Sequence, residues 1–150
     1  MKRVPFGIRK LDLTLEGGLP ENTVTLISGA PGTGKSLLAL SFLYYGITSF
    51  KEEGMFISFE QRKEEIVLQG ERIGFSLLPK LVNSGKILIN THSINSISKN
   101  TVDKIISSIK KSNVQRVVID SLSSISINTP IYEFARDALW RELRGNAQLI

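Results

Sequence analysis

Gly29-Ala30-Pro31-Gly32-Thr33-Gly34-Lys35-Ser36 brings together the residue types that hold a phosphate group. The run satisfies the pattern G-x-x-x-x-G-K-S/T at every fixed position. Gly29, Gly32 and Gly34 let the backbone curl toward an anion, because glycine tolerates positive φ and carries no colliding side chain. Backbone N–H groups of such a loop, that of Thr33 included, converge on phosphate oxygens. Lys35 adds a point charge for the outer phosphates of a nucleotide, and the Ser36 hydroxyl can ligate Mg²⁺. Pro31 lacks an N–H and stiffens the loop instead of donating.

Two acids could complete the chemistry. Val117-Val118-Ile119-Asp120 is an apolar run ending in a carboxylate. A buried parallel strand of this kind delivers Asp120 to the sheet edge where ligands bind in open α/β folds. There it can support the Mg²⁺ of a bound nucleotide. Met55-Phe56-Ile57-Ser58-Phe59-Glu60 repeats the arrangement. Glu60 then projects from a second strand end, where it could orient or deprotonate an attacking water. Spacing alone leaves Glu60 and Gln61 equally well read as the start of a solvated loop.

The elements that must position these groups are legible as a βα alternation. Thr23–Ser28 is β-branched and apolar, as a buried parallel strand should be. Lys35–Phe50 reads as a mostly buried helix, broken by Glu53-Gly54. Met55–Phe59 is a second strand, Lys63–Ile73 a helix ending at Gly74, and Lys86–Asn90 a third strand. Thr101–Ser112 sets Val102, Ile105, Ile106 and Ile109 on one helical face. Arg116–Asp120 is a fourth strand and Tyr132–Arg144 a last helix. Leu139, Leu143, Ala147 and Ile150 continue that helical stripe, which favours helix over strand for the final residues. The alternation predicts an α/β fold: a mainly parallel sheet with helices on both faces.

Composition limits the alternatives. A chain of 150 residues suits one domain, here residues 1–150, with a sizeable core. There is no Cys, which excludes disulfides and cysteine metal sites. The one His, His92, follows an apolar strand and reads as structural or solvated. The first residues lack the apolar run of a secretory signal, and no stretch approaches a membrane span, so a cytoplasmic setting with no membrane contact is expected. The formal charge of +5 is spread among acids. Lys110, Lys111 and Arg116 form the one compact basic spot.

These segments, taken in order, resemble the KaiC-like branch of the RecA superfamily of ATPases. Pro5-Phe6-Gly7-Ile8-Arg9-Lys10-Leu11-Asp12 is similar to that family's P-x-G-x-x-x-L-D segment, and Gly17-Gly18-Leu19-Pro20 to its G-G-L-P turn. Phe42-Leu43-Tyr44-Tyr45-Gly46 resembles F-L-Y-x-G, Ser58-Phe59-Glu60 the strand end S/T-F-E-E, and Val117-Val118-Ile119-Asp120-Ser121 the run V-V-I-D-S. The resemblance implies a RecA-type P-loop core that binds ATP and Mg²⁺, with nucleotide between subunits of a homo-oligomeric ring. It assigns Lys35 and Ser36 to phosphate and Mg²⁺, Asp120 to the metal shell, and Glu60 to the first of two adjacent catalytic glutamates. Gln61 stands where the second would be. Gln can orient a water but cannot take its proton near neutral pH. The family core also continues past the Asp strand, with a further strand between it and the loop strand, so the chain reads as C-terminally truncated.

Three functions compete on this reading. One is a ring-forming ATPase that regulates partners. Another is a recombinase paralogue whose DNA binding is tuned by ATP; the stretch Ser121–Pro130 argues against it, since it carries no Lys or Arg. The last is a nucleotide-binding fragment without turnover, favoured by Gln61. No N-K-x-D guanine signature is present, which disfavours a GTPase. Trp140 and the apolar helix stripes read as core or subunit contacts.

Overall fold

A computed structural model describes residues 1–121 and the backbone of a short strand at 148–149. In chain order the elements are β1 (Arg3–Val4), α1 (Arg9–Thr14), β2 (Leu19–Pro20), α2 (Lys35–Phe50), β3 (Gly54–Ser58), α3 (Lys63–Arg72), α4 (Leu78–Asn83), β4 (Ile87–Thr91), a 3₁₀ turn at Ile94–Ser96, α5 (Lys99–Ser112), β5 (Arg116–Asp120) and β6 (Gln148–Leu149). β1 and β2 form a small antiparallel ribbon. The main sheet has the order β4-β3-β5-β6 and every pairing in it is parallel.

β3 is buried along its whole length, which explains why Met55-Phe56-Ile57 shows no polar alternation. Its side chains divide between two cores because successive residues face opposite ways. Phe56, Ile87 and Val118 pack with Leu40, Leu43, Ile66 and Leu78 from α2, α3 and α4. Met55, Ile57 and Val117 pack with Val102, Ile105, Ile106 and Ile109 from α5. Helices therefore cover both faces, and the α/β class with a parallel sheet holds.

α2 runs against the strands. Where its second half begins, the Phe42 carbonyl accepts a hydrogen bond from Arg116 Nη1 at 3.0 Å. Gly46 lies against the same side chain, where a Cβ would come within 2.6 Å of Arg116 Cδ. Arg116 opens β5, so this half of α2 sits over the sheet's N-terminal edge. Lys35 to Gly46 spans about 16 Å of helix. Arg116 to Asp120 spans about 13 Å of strand. The start of α2 therefore reaches back to the C-terminal edge, where β3 and β5 end.

Three expectations need correction. Thr23–Ser28 is not a strand of the main sheet: Val24 makes a single bridge, and Leu26 is 72 % exposed. β-Branched residues suit a pleated surface, but the neighbouring strand decides whether a ladder forms. Gln148–Leu149 is a strand paired with Arg116 and Val117, not the continuation of a helix. Pairing along β5 outweighs the helical stripe that Ala147 and Ile150 suggest. Arg116 is fully buried, so it adds nothing to a basic surface with Lys110 and Lys111. The predicted helix Tyr132–Arg144, Trp140 and the stretch after Ser121 lie outside the described residues.

Candidate nucleotide site

The glycine loop joins Val24's bridge to α2. Gly34 is the residue before the helix, at φ 86°, and Gly32 lies at φ 79°. Side chains rarely adopt either conformation, so the spacing of these glycines follows from the turn itself. The loop curls around the Lys35 ammonium, which donates to the Gly29 carbonyl at 2.8 Å and the Ala30 carbonyl at 3.0 Å. The Thr33 hydroxyl donates to Ala30 O at 2.7 Å and closes the curl. Gly29 to Gly34 are all exposed, and Ser36 is half-buried in the first turn of α2. A 16-residue helix ending here turns its unpaired N–H groups and the positive end of its dipole toward this loop.

The two acids lie at the ends of neighbouring parallel strands. β3 and β5 pair in a register that sets Ser58 opposite Asp120. One residue on, the Phe59 N–H donates to the Asp120 carbonyl at 3.0 Å. Glu60 follows immediately and is exposed, while Asp120 is half-buried. The turn after Glu60 is tied down twice. Gln61 N–H donates to Ser58 Oγ at 3.0 Å. Arg62 N–H donates to the Glu65 carboxylate at 3.0 Å, which seats the first turn of α3. The structure thus sets Asp120 at the end of β5 and Glu60 two residues past the end of the neighbouring strand β3.

Of the two readings of His92, structural or solvated, its surroundings favour the structural one. Its backbone N–H donates to Ser58 O at 2.9 Å, and its ring packs at 5.8 Å from that of Phe59. Nε2 is buried without a hydrogen-bond partner. Burial lowers the imidazole pKa from its ordinary value, and the Lys104 charge adds to the effect. Ser58, by contrast, figures in the sequence only as part of the S/T-F-E-E strand end, with no role of its own. Only its burial beside Gln61 reveals it, since serine at a strand end is commonplace in sequence.

The donor set suits one kind of metal complex. Among the described residues, no three His, Cys, Asp or Glu side chains cluster into a cage. Ser36 and Asp120 supply two oxygen donors. Mg²⁺ commonly takes one or two protein oxygens and completes its shell with water and substrate phosphates. The residues present therefore fit a metal brought with a nucleotide. Among the same residues, no helix is long and apolar enough to cross a membrane.

Comparison with known proteins agrees with this architecture. A family model described as "ATPase: KaiC" matches residues 4–145. The circadian clock oscillator protein KaiC of Thermostichus vulcanus is 34 % identical over an alignment covering 83 % of this chain and 26 % of that protein. Its counterpart in Picosynechococcus sp. is 36 % identical, with 79 % and 24 % covered. A UPF0273 protein of Methanocaldococcus jannaschii is 33 % identical, with 87 % and 60 % covered. The chain thus spans about a quarter of the length of these KaiC relatives.

Proposed function

The chain belongs to the KaiC family of ATPases, and from that premise we propose that it binds ATP with Mg²⁺ and hydrolyses it. The observation that carries this reading is the shared sheet edge. Asp120 ends β5, Glu60 lies two residues past its register partner Ser58 on β3, and α2 runs back toward the same edge with the phosphate loop at its start.

The roles follow from chemistry. The N–H groups of Gly29–Gly34 and the Lys35 ammonium hold the β- and γ-phosphates. Lys35 exchanges its two carbonyl partners for phosphate oxygens. Ser36 and Asp120 hold the Mg²⁺, which, when bound, offsets charge building on the phosphate oxygens. Glu60 orients the attacking water and accepts its proton, and Gln61 can donate or accept a hydrogen bond to that water without taking the proton. Assembly into a homo-oligomeric ring, regulation of a partner protein and a cytoplasmic setting belong to the same proposal. No described feature favours DNA as a ligand.

Equilibrium binding of a fluorescent ATP analogue, paired with phosphate release, tests the reading. Lys35→Ala should weaken binding at least tenfold. Glu60→Gln should leave binding within about twofold and cut turnover a hundredfold or more. Saturable Mg²⁺-dependent binding with no turnover in the unsubstituted protein would reduce the function to nucleotide binding. No binding at all would refute it.

A further inference from the structure

We propose that Ser58 is a positioning residue for the Glu60–Gln61 turn, holding it through its side-chain oxygen. The proposal rests on the reading of Glu60 as the water-orienting group of an ATPase. Three polar or charged residues are buried among the described ones: Ser41, Ser58 and Arg116. The Ser41 hydroxyl donates within its own helix, to Leu37 O at 2.7 Å. Arg116 serves the far edge of the sheet. Ser58, 1 % exposed, is the one at the edge that carries Glu60.

A serine ending a strand of Gly-Met-Phe-Ile is out of keeping with its neighbours. Burying a hydroxyl is costly unless it is hydrogen-bonded. Ser58 Oγ meets that requirement by accepting the Gln61 N–H at 3.0 Å, a bond spanning Phe59 and Glu60. The main chain of Ser58 is itself fixed from both sides. Its carbonyl accepts the His92 N–H at 2.9 Å. Its register partners are Thr91 on β4 and Asp120 on β5. The next N–H, that of Phe59, is committed to Asp120 O. Ser58 is therefore a rigid reference point, and its hydroxyl extends that rigidity across the two residues that follow. Glu60 lies inside the loop closed by this bond. Its backbone is held while its side chain stays exposed to a ligand.

Removing Oγ would leave the Gln61 N–H without this acceptor and free the turn to shift relative to Asp120. Small displacements of a group that aligns a reactant cost turnover steeply. Substrate binding should change little, because the phosphate loop is on another element.

Amide hydrogen exchange at Gln61 and steady-state ATP hydrolysis, on the full chain and its Ser58→Ala and Ser58→Thr variants, test the proposal. Ser58→Ala should speed Gln61 exchange and lower kcat, each by about tenfold, with KM within about twofold. Ser58→Thr keeps the hydroxyl at the same atom and should restore both. Unchanged Gln61 exchange in Ser58→Ala overturns the tether. Faster exchange with unchanged kcat in a hydrolysing protein overturns the positioning role. If the unsubstituted protein binds but does not hydrolyse ATP, the reading of Glu60 has failed; the exchange result, with rescue by Thr, still decides whether Ser58 holds the turn.

Discussion

His92 is the single imidazole of the chain, and its burial sets a pH dependence that can be assigned to one residue. Its ring lies against Phe59, its Nε2 is enclosed without a partner, and Lys104 is the charged group acting on it from α5. Both burial and Lys104 disfavour the protonated form, so the folded-state pKa lies below the unfolded value near 6.5. The unfolded chain therefore takes up the proton first as pH falls. Stability from this group is full above the unfolded pKa and is lost progressively as pH drops through that value toward the folded one. Urea midpoints should fall between about pH 7 and pH 5, and His92→Phe, which keeps a ring there, should flatten that part of the profile. Equal slopes in the two proteins would refute the assignment, as would a ring-proton NMR titration centred at or above the ordinary value. At this scale the sequence was informative wherever chemistry restricts residue type. Gly29–Ser36, Glu60 and Asp120 stand out as candidates because few residue types suit the roles proposed for them. Ser58 does not, since its part depends on burial and on one bond to Gln61 N–H, neither visible in a string of residues.

Arg116 is the residue that joins elements. Its side chain has no exposure, yet it carries a charge at the N-terminal edge of β5. Nε donates to the Glu52 carboxylate at 2.6 Å, and Nη1 donates to the Phe42 carbonyl. The guanidinium lies 4.4 Å from the Phe42 ring centroid and 5.2 Å from that of Phe50. Gly46 has no side chain because the arginine stem occupies that space. The end of α2, the turn carrying Glu52 and the start of β5 are thus clamped together, which fixes the direction of α2 and so the place of the phosphate loop. Glu52→Ala leaves the buried cation without its counter-ion and should lower unfolding free energy by about 2 kcal/mol, below the cost of breaking a fully buried pair because Glu52 is about one-third exposed. Adding Arg116→Met removes the stranded charge and should recover part of that loss. Denaturant unfolding that places Glu52→Ala within about 0.5 kcal/mol of the unsubstituted protein would refute the clamp. Elements with strong local signals were readable: Lys35–Phe50 and Arg116–Asp120 occur with the bounds expected. α4 escaped because Pro79 reads as a break, although proline is tolerated in a helix's first turn. Thr23–Ser28 and Gln148–Leu149 depart from the sequence expectation for one reason. Whether a segment is a strand depends on which neighbour pairs with it, and that is decided far away in sequence.

At the scale of the molecule, the described residues leave the candidate nucleotide site open on one face. The main sheet and α2 back it on one side, while Gly29 to Gly34 and Glu60 are exposed. The described residues would cover a triphosphate lying on the loop on one face only. Enzymes that hydrolyse nucleotides exclude bulk water and surround the developing charge, which a one-sided site does poorly. A second copy lying over the exposed face would supply the missing wall, in keeping with the proposed ring. Nucleotide would then be buried between copies, and linkage requires that it strengthen their association by as much as association strengthens its binding. Sedimentation velocity should show the chain shifting to a larger species with Mg²⁺ and a slowly hydrolysed ATP analogue. Dilution should weaken analogue binding in parallel. Lys35→Ala should stay at the mass seen without nucleotide, because the ligand that couples the subunits no longer binds. A chain that binds the analogue fully while remaining a monomer, at a concentration-independent affinity, would show that the exposed face is not closed by a second copy.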